Sequence, residues 1–199
     1  MKVGILGGTF SPIHYGHLIL AETAYDRFGL DKVMIMPAGD PYFKDLNKMA
    51  ADEHRENMTR LAIEGNPHFE FSDMELKREG KTYTVDTLID LTTQHPDDEF
   101  YFIVGSDTLY NIEKWYRPAE IFQMAKFLTS CRNIENQALT EQIDYLKNKF
   151  GAKIYNLYMP NIDISSTDIR DKVKHGMSIR YFTPDAVIEY IQEHNLYQD

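Results

Sequence analysis

A short apolar run at residues 3–6 leads directly into the stretch GGTFSPIHYGHL at residues 7–18, and this junction constrains the fold more than any other feature. Apolar residues then recur at three- and four-residue steps as far as Phe28, which is typical of one buried helix face. The junction is therefore interpreted as a strand, a glycine turn and a helix. That order predicts the first unit of a parallel α/β fold.

The same turn has the chemistry of an anion-binding site. Gly7 and Gly8 allow the backbone to approach a bulky anion and to present its N–H groups. A helix N-terminus adds partial positive charge at the same place. The imidazoles of His14 and His17 can donate hydrogen bonds to phosphate oxygens. The segment therefore predicts a site for the triphosphate of a nucleotide.

Two other interpretations of this segment are open. A glycine turn between a strand and a helix can be purely structural, and two nearby histidines can bind zinc. No cysteine or carboxylate stands at ligand spacing beside the histidines, which argues against zinc. The stretch also lacks the G-x-G-x-x-G spacing that is typical of dinucleotide-binding oxidoreductases.

Strand and helix patterns alternate along the rest of the chain. Further strands are predicted at residues 33–36, 69–71, 100–104, 127–129 and 154–158, and helices near residues 52–64, 84–91, 139–150, 165–176 and 183–191. The last of these helices is predicted to have Thr183 as its N-cap and Pro184 as its first residue. This alternation predicts a Rossmann-like, doubly wound parallel sheet with helices on both faces. Such sheets bind ligands beyond the carboxyl ends of their strands, where the strand order reverses. The motif segments, and a long loop at residues 37–50, follow strands and should meet at one crevice.

Charge and length restrict the class of protein further. The 199 residues carry a formal net charge of −10 without an evident basic stripe, so a nucleic-acid partner is not expected. No apolar run approaches the ~20 residues of a membrane span. The first strand follows Met1-Lys2 too closely for a signal peptide, and a single cysteine fits a reducing cytoplasm. We expect one cytoplasmic domain over residues 1–199, with C-terminal helices from about residue 165 to residue 199 packed on it.

A second segment, ISSTDIR at residues 164–170, indicates the same chemistry. Ser165 followed by Asp168 resembles a capping box, and a plain helix cap is one interpretation of it. The hydroxyls and free N–H groups of a helix start also form an anion cradle, and Arg170 can clamp a phosphate with two hydrogen bonds. Because the chain is acidic, only a few basic side chains are available to bind a polyanionic ligand. The candidates are His14, His17, Lys44, Arg132 and Arg170.

These segments carry a resemblance to a known family. Residues 7–18 resemble the (H/T)xGH signature of the nucleotidylyltransferase superfamily, and residues 164–170 resemble its second signature, ISSTxxR. Further stretches are similar to nicotinate-nucleotide adenylyltransferases in particular: ELKR at 75–78, YTVDTL at 83–88, FIVGSD at 102–107 and KWY at 114–116. The resemblance covers essentially the whole chain. The chain departs from the family pattern at Ser11, where Asp is usual, and at Phe43, where a histidine usually precedes the lysine that corresponds to Lys44.

The resemblance implies transfer of AMP from ATP to nicotinate mononucleotide, which gives deamido-NAD and pyrophosphate in NAD biosynthesis. The residues it implies for catalysis are His14, His17, Lys44 and Arg170. The residues it implies for ATP binding are Gly7, Gly8, Thr9, Phe10, Gly16, Ser165, Ser166, Thr167 and Arg170. Mg²⁺ would arrive with ATP, held mainly by phosphate oxygens and water, and no metal site made by the protein is expected.

The mononucleotide would lie on the other side of the crevice. The resemblance implies that Trp115 stacks on the cationic pyridine ring, although a lone tryptophan can equally be a packing ring. Thr84 is predicted to cap a helix whose first N–H groups could receive the nicotinate carboxylate. Arg132 can contact the mononucleotide phosphate or be a solvated surface residue, and Asp107 can bind ribose, bind a metal or cap a helix. The remaining candidates for this subsite are Tyr83 and Gly105.

Alternatives to this function come from two classes. The nearest is the same chemistry on nicotinamide mononucleotide or pantetheine phosphate, or with a cytidylyl donor. The other is a non-catalytic nucleotide sensor, which would be expected to lack one of the two histidines or Arg170, and this chain has all three. A homo-oligomer is compatible with the sequence.

Overall fold

A parallel sheet forms the centre of the molecule. The structure, a computed structural model, describes residues 1–41, 49–131, 137–159 and 162–198. The strands of the main sheet are β1 (Lys2–Gly8), β2 (Lys32–Pro37), β4 (Phe69–Phe71), β6 (Glu99–Val104), β7 (Ala125–Cys131) and β8 (Ile154–Tyr158). Every pairing between them is parallel, in the order β4-β2-β1-β6-β7-β8. Two short strands, β3 (Asp40–Pro41) and β5 (Lys81–Thr82), pair separately beside it.

Helices connect the strands, and the sheet is covered on both faces. The helices are α1 (Tyr15–Phe28), α2 (Asp52–Ile63), α3 (Thr84–Gln94), α4 (Ser106–Leu109), α5 (Pro118–Met124), α6 (Gln137–Phe150), α7 (Ser166–Lys174) and α8 (Asp185–Glu193), with a 3-10 turn at Ile112–Lys114. Buried side chains of α1, α2, α7 and α8 form one apolar cluster, and those of α3, α5 and α6 form another. The doubly wound, Rossmann-like α/β fold predicted from the alternating pattern is therefore confirmed.

The strands are apolar along their length because both of their faces are buried. Successive residues of β2 alternate between the two clusters, with Met34 and Met36 on one face and Val33 and Ile35 on the other. All four side chains are at most 7% exposed. A run of this kind cannot lie at a surface without exposing apolar area to water, so it fixes the central position of the strand.

The strand order reverses at β1. From β1 the chain moves outward through β2 to β4, then crosses back to β6 on the other side of β1 and continues to β7 and β8. The predicted glycine turn begins inside the sheet, because Gly7 and Gly8 are the last two residues of β1 and pair with Met36 and Pro37. The chain turns after them, and the segment after β6 leaves the sheet on the same edge. Because β1 and β6 diverge into helices on opposite faces, they leave a crevice at their carboxyl ends, where ligands of such folds bind.

Two predicted helix starts are wrong by one residue. Thr84 is the first residue of α3, and Tyr83 takes the N-cap position that was predicted for Thr84. Pro184 rather than Thr183 precedes the first residue of α8. The Thr183 hydroxyl is used elsewhere, since its Oγ1 donates to the carbonyl oxygen of Ile13 at 2.7 Å. A long-range hydrogen bond replaces the local cap at this position.

Other differences lie between the predicted elements. The short helices α4 and α5 were not predicted, because seven residues or fewer carry too little apolar periodicity to be recognised. The predicted loop at 37–50 contains Asp40–Pro41, which pairs with Lys81–Thr82 as part of a two-stranded ladder. No helix in the described ranges combines the length and apolar content that a bilayer crossing demands.

Candidate active site

A cleft of about 870 Å³ lies at the carboxyl ends of β1 and β6. Of the residues predicted for the site, its walls contain Gly7, Gly8, Thr9, Phe10, His14, Gly16, His17, Tyr83, Thr84, Gly105, Asp107, Trp115, Ser165, Ser166, Thr167 and Arg170. The two remaining candidates, Lys44 and Arg132, lie outside the described residues. The tertiary structure thus brings together every described candidate, although they come from five separate stretches of the chain.

The glycine turn has its shape because Phe10 folds back against it. A Cβ atom on Gly8 would lie 2.5 Å from the Phe10 ring, so only glycine fits there. Phe10 adopts a left-handed backbone conformation, with φ +48°, and its side chain is 1% exposed. Its ring meets the His17 imidazole edge to face, with the ring centroids 4.9 Å apart. Phe10 therefore supports the orientation of the His17 ring.

The two histidines pack against each other at the start of α1. Their rings are stacked with centroids 3.6 Å apart, and the backbone N–H of His14 donates to His17 Nδ1 at 3.3 Å. An accepting Nδ1 favours the tautomer of His17 that has its proton on Nε2. A Cβ on Gly16 would lie 3.0 Å from His14 Nδ1. The glycine between the histidines therefore makes room for the His14 ring.

His14 is nearly inaccessible to solvent, and this decides its charge. The residue is 5% exposed, and burial, which disfavours the imidazolium, lowers the pKa of His14 to about 4. Its ring is neutral at neutral pH. It can therefore offer a hydrogen bond to a phosphate but no full positive charge.

The second signature meets the first directly. Ser166 Oγ donates to the carbonyl oxygen of Pro12 at 2.9 Å, and Arg170 Nη1 donates to the carbonyl oxygen of Ser11 at 2.8 Å. The other terminal nitrogen of Arg170 donates to Thr167 Oγ1 at 3.2 Å. The bonds to Pro12 and Ser11 join positions more than 150 residues apart. They hold the start of α7 and the guanidinium against the segment that follows β1, at the wall of the cleft.

Ser165 also has the capping role that its spacing predicts. Its Oγ accepts the backbone N–H of Asp168 at 3.1 Å and donates to the Asp168 carboxylate at 2.7 Å. The helix cap and the anion cradle are compatible interpretations, because the cap satisfies one N–H and leaves the neighbouring groups of the first turn facing the cleft.

The end of the cleft formed by residues 7–17 and 165–170 is called the phosphate end, after the group that the resemblance assigns to it. Arg55 supports this end, and the sequence did not predict it. Its side chain is fully buried. One terminal nitrogen donates to the carbonyl oxygen of Thr9 at 2.8 Å, and the other donates to Asp52 at 2.6 Å and to the carbonyl oxygen of Gly39 at 3.4 Å. The available signal was its position three residues before buried Met58, which places a charge on the apolar face of α2.

The pyridine end of the cleft, named for the ring that the resemblance assigns to it, is lined by the first turn of α3 and by aromatic rings. Trp115 is half-buried and meets the Phe102 ring edge to face at a centroid distance of 6.1 Å. Tyr116 is 54% exposed, and its ring centroid lies 4.8 Å from that of Tyr83. Tyr116 lines the cleft and was not among the predicted site residues. The adjacent motif residue Trp115 was the signal that could have found it.

Glu75 is a second group that the sequence analysis left without a role. It lines the cleft, and Thr87 Oγ1 on α3 donates to its carboxylate at 2.8 Å. Arg78 donates to the same Thr87 hydroxyl at 2.8 Å and to Asp90 at 2.5 Å. Burial raises the pKa of the Glu75 carboxyl. This network holds the segment before α3 against the helix and so positions its first turn.

Comparisons with known proteins give the family of this chain. A family model described as cytidylyltransferase-like matches residues 5–172. A Lachnoclostridium phytofermentans protein named "Probable nicotinate-nucleotide adenylyltransferase" is 47% identical, with 98% of each chain covered. A Thermoanaerobacter protein of the same name is 40% identical, with 100% of this chain and 95% of the relative covered. The chain belongs to the nicotinate-nucleotide adenylyltransferase family, within the cytidylyltransferase-like proteins.

Solved structures share the fold. The Plasmodium falciparum nicotinic acid mononucleotide adenylyltransferase complexed with APC superimposes with a TM-score of 0.79 at 22% sequence identity, covering 98% of this chain and 96% of that one. The same enzyme complexed with NaAD gives a TM-score of 0.79 with 97% of its chain covered. At this identity the likeness supports the fold alone.

Proposed function

We propose that this protein transfers AMP from ATP to nicotinate mononucleotide, forming deamido-NAD and pyrophosphate in NAD biosynthesis. A 5′-phosphate oxygen of the mononucleotide attacks the α-phosphorus of ATP, and the bond from that phosphorus to the oxygen bridging to the β-phosphate breaks. The names of its full-length relatives support the reaction. No protein nucleophile is needed, because the attacking phosphate is already an anion.

The observation that carries the proposal is the junction of the two signatures at one cleft. Ser166 and Arg170 are hydrogen-bonded to the carbonyl groups of Pro12 and Ser11, directly before the two histidines. A triphosphate in this cleft would be flanked by both segments. Catalysis by such a site consists of positioning and of neutralising charge that develops on the α-phosphate and the leaving pyrophosphate.

Each group at the phosphate end has a distinct role in this proposal. The glycine turn and Thr9 present backbone N–H groups, and His17 and neutral His14 donate hydrogen bonds to phosphate oxygens in the transition state. Arg170 and the hydroxyls of the second signature hold the β- and γ-phosphates, and Lys44 assists. The residues assigned to those hydroxyls are Ser165, Ser166 and Thr167.

The pyridine end selects the acceptor. Trp115 stacks on the pyridine ring, and the first N–H groups of α3, at Thr84, receive the nicotinate carboxylate. An uncharged amide would forfeit charge-assisted hydrogen bonds there, so the acid is preferred. The remaining assigned contacts, to ribose and to the mononucleotide phosphate, are Tyr83, Gly105, Asp107 and Arg132.

Mg²⁺ enters with ATP in this proposal. Among the described residues there is no group of three or more His, Cys, Asp or Glu arranged to hold a metal. The cleft does present the exposed carboxylate of Asp107, which fits an ion held chiefly by phosphate oxygens and water. When bound, Mg²⁺ neutralises phosphate charge.

We also propose the context in which the enzyme works. Residues 1–199 act as one nucleotidylyltransferase domain, with the segment from about 165 to 199 packed on it. The reaction takes place in the cytoplasm, where the acidic chain acts on small molecules rather than on nucleic acid. Assembly into a homo-oligomer is compatible with this function.

The test is pyrophosphate release from ATP with each acceptor in turn. Nicotinate mononucleotide should be the preferred acceptor over nicotinamide mononucleotide and pantetheine phosphate, and ATP should be preferred over CTP. Equal rates with the acid and the amide would contradict the carboxylate pocket at Thr84. No release with any acceptor would revive the nucleotide sensor.

A further inference from the structure

The C-terminal tail reaches the back of the phosphate site. Tyr197, which follows α8, has its hydroxyl 3.0 Å from Ser11 Oγ. Tyr197 adopts a left-handed backbone conformation with φ +61°, which is unfavourable for a bulky residue unless surrounding contacts hold it. The tail is therefore held by its tertiary contacts rather than by its own backbone preference.

Ser11 joins three segments at one buried point. The residue is 1% exposed. Its Oγ accepts the backbone N–H of Ala50 at 3.0 Å, and its carbonyl oxygen accepts Arg170 Nη1 at 2.8 Å. A serine hydroxyl has one hydrogen to donate and two lone pairs. It can accept from Ala50 and still exchange a hydrogen bond with Tyr197, so the three bonds are compatible.

The surroundings keep the tyrosine hydroxyl protonated. Burial raises the pKa of Tyr197 to about 12, although the hydrogen bond with Ser11 and, less strongly, the guanidinium groups of Arg170 and Arg55 oppose this shift. The hydroxyl therefore remains protonated at neutral pH. Both guanidinium groups act on the hydroxyl electrostatically, although neither is among its hydrogen-bond partners.

We propose that Tyr197 is a positioning residue for ATP: its hydroxyl holds Ser11, and the Ser11 carbonyl in turn orients the guanidinium of Arg170. Tyr197 does not line the cleft, so it acts through Ser11. The proposal rests on the proposed function only in assigning the phosphates to Arg170. Loss of the hydroxyl should weaken the triphosphate site and leave the pyridine end unchanged.

The test compares Tyr197→Phe with Tyr190→Phe in the full chain. Tyr190 on α8 accepts a hydrogen bond from Asn57 at 2.9 Å and does not line the cleft. Tyr190→Phe is therefore the control, because it also removes one partly buried, hydrogen-bonded hydroxyl, but away from Ser11. ATP affinity is measured calorimetrically without acceptor, and KM for each substrate is measured by pyrophosphate release. Tyr197→Phe should raise Kd and KM for ATP about threefold to tenfold, the range of one lost hydrogen bond.

Three further results distinguish positioning from general stability. KM for the mononucleotide should stay within twofold in Tyr197→Phe, and Tyr190→Phe should leave Kd for ATP unchanged. Ser11→Ala should weaken ATP binding at least as much as Tyr197→Phe, and the double variant should be no worse than Ser11→Ala. An unchanged Kd in Tyr197→Phe, an equal shift in Tyr190→Phe or additive effects in the double variant would each overturn the proposal.

The same experiment separates this proposal from the proposed function. If wild-type protein binds ATP and Tyr197→Phe weakens that binding, the positioning role stands whichever acceptor reacts. If wild-type protein converts nicotinate mononucleotide but Tyr197→Phe binds ATP normally, only the positioning role fails. If wild-type protein binds no ATP, both fail.

Discussion

The two ends of the cleft are built differently. At the phosphate end the supporting side chains are buried, with Phe10 at 1% and His14 at 5% exposure, whereas His17 and Arg170 are half-buried and Thr167 is exposed. Carbonyls at residues 9, 11, 12 and 13 each accept a hydrogen bond from a distant side chain. The pyridine end is more open. Asp107 is exposed, Trp115 is half-buried and Tyr116 is 54% exposed.

The difference follows from what each end would have to do. Phosphoryl-group chemistry depends on donors held at fixed positions before the reaction, because donors that must reorganise lose much of their effect. Selection of a flat ring needs an aromatic surface and a few polar groups, which tolerate small movements. Changes at the phosphate end should therefore lower kcat, stability or ATP affinity, whereas changes at the pyridine end should raise KM for the mononucleotide alone.

The largest effect is expected for His17→Ala. Loss of one preorganised hydrogen-bond donor should lower kcat by about two orders of magnitude or more, while the fold is retained. The rate of pyrophosphate release measures kcat. His95→Ala is the control, because His95 is exposed at the other end of α3. Wild-type turnover in His17→Ala would remove that residue from the mechanism.

Arg55→Met tests whether the phosphate end is held by buried hydrogen bonds. The variant removes the donor that the carbonyls of Thr9 and Gly39 share. Because hydrogen bonds to charged groups are stronger than neutral ones, we expect the free energy of unfolding to fall by about 2–3 kcal/mol. Urea denaturation measures it. Arg60→Met on the same helix, whose arginine is half-exposed and paired with Glu56, should cost less than about 1 kcal/mol. Equal losses would mean that the buried bonds contribute nothing beyond a surface pair.

The buried state of His14 predicts a pH-dependent stability. Its pKa is lowered from 6.5 to about 4 in the folded protein, so between these values the unfolded chain binds more protons and stability falls as pH falls. From pH 7.5 to 5.0 this group should account for a loss of about 2 kcal/mol in the free energy of unfolding. Urea denaturation of the wild type and of His14→Gln at pH 7.5 and pH 5.0 isolates the contribution of His14 to the free energy of unfolding. The same pH dependence in both proteins would show that His14 is not the cause.

The smallest effect is expected at the pyridine end. Trp115→Ala should raise KM for nicotinate mononucleotide about tenfold, the scale of one stacking contact with a cation, while KM for ATP and kcat stay within about threefold. Trp115→Phe should recover most of the affinity because it retains a ring. Steady-state kinetics with each substrate varied in turn gives both constants. A fall in kcat without a change in KM would erase the distinction between the two ends.

Local patterns predicted much of this structure. The apolar run before the glycine turn predicted β1, and three- and four-residue spacing predicted α1 and α6, because burial of one face imposes that period. Helix starts were less certain, since several neighbouring residues can cap a helix. Thr183 shows why: its hydroxyl bonds to Ile13, which no local pattern reveals.

Residue types and their order along the chain were enough to indicate the family, the α/β class and the two signature segments. The reason is that glycine turns, helix starts and apolar periods are patterns of a few neighbouring residues. The partnerships of Arg55, Glu75, Ser11 and Tyr197 came only from the folded chain. A buried charge or hydroxyl is stable only beside its partner. Those partners are distant in sequence, so tertiary packing alone decided which polar groups support the cleft.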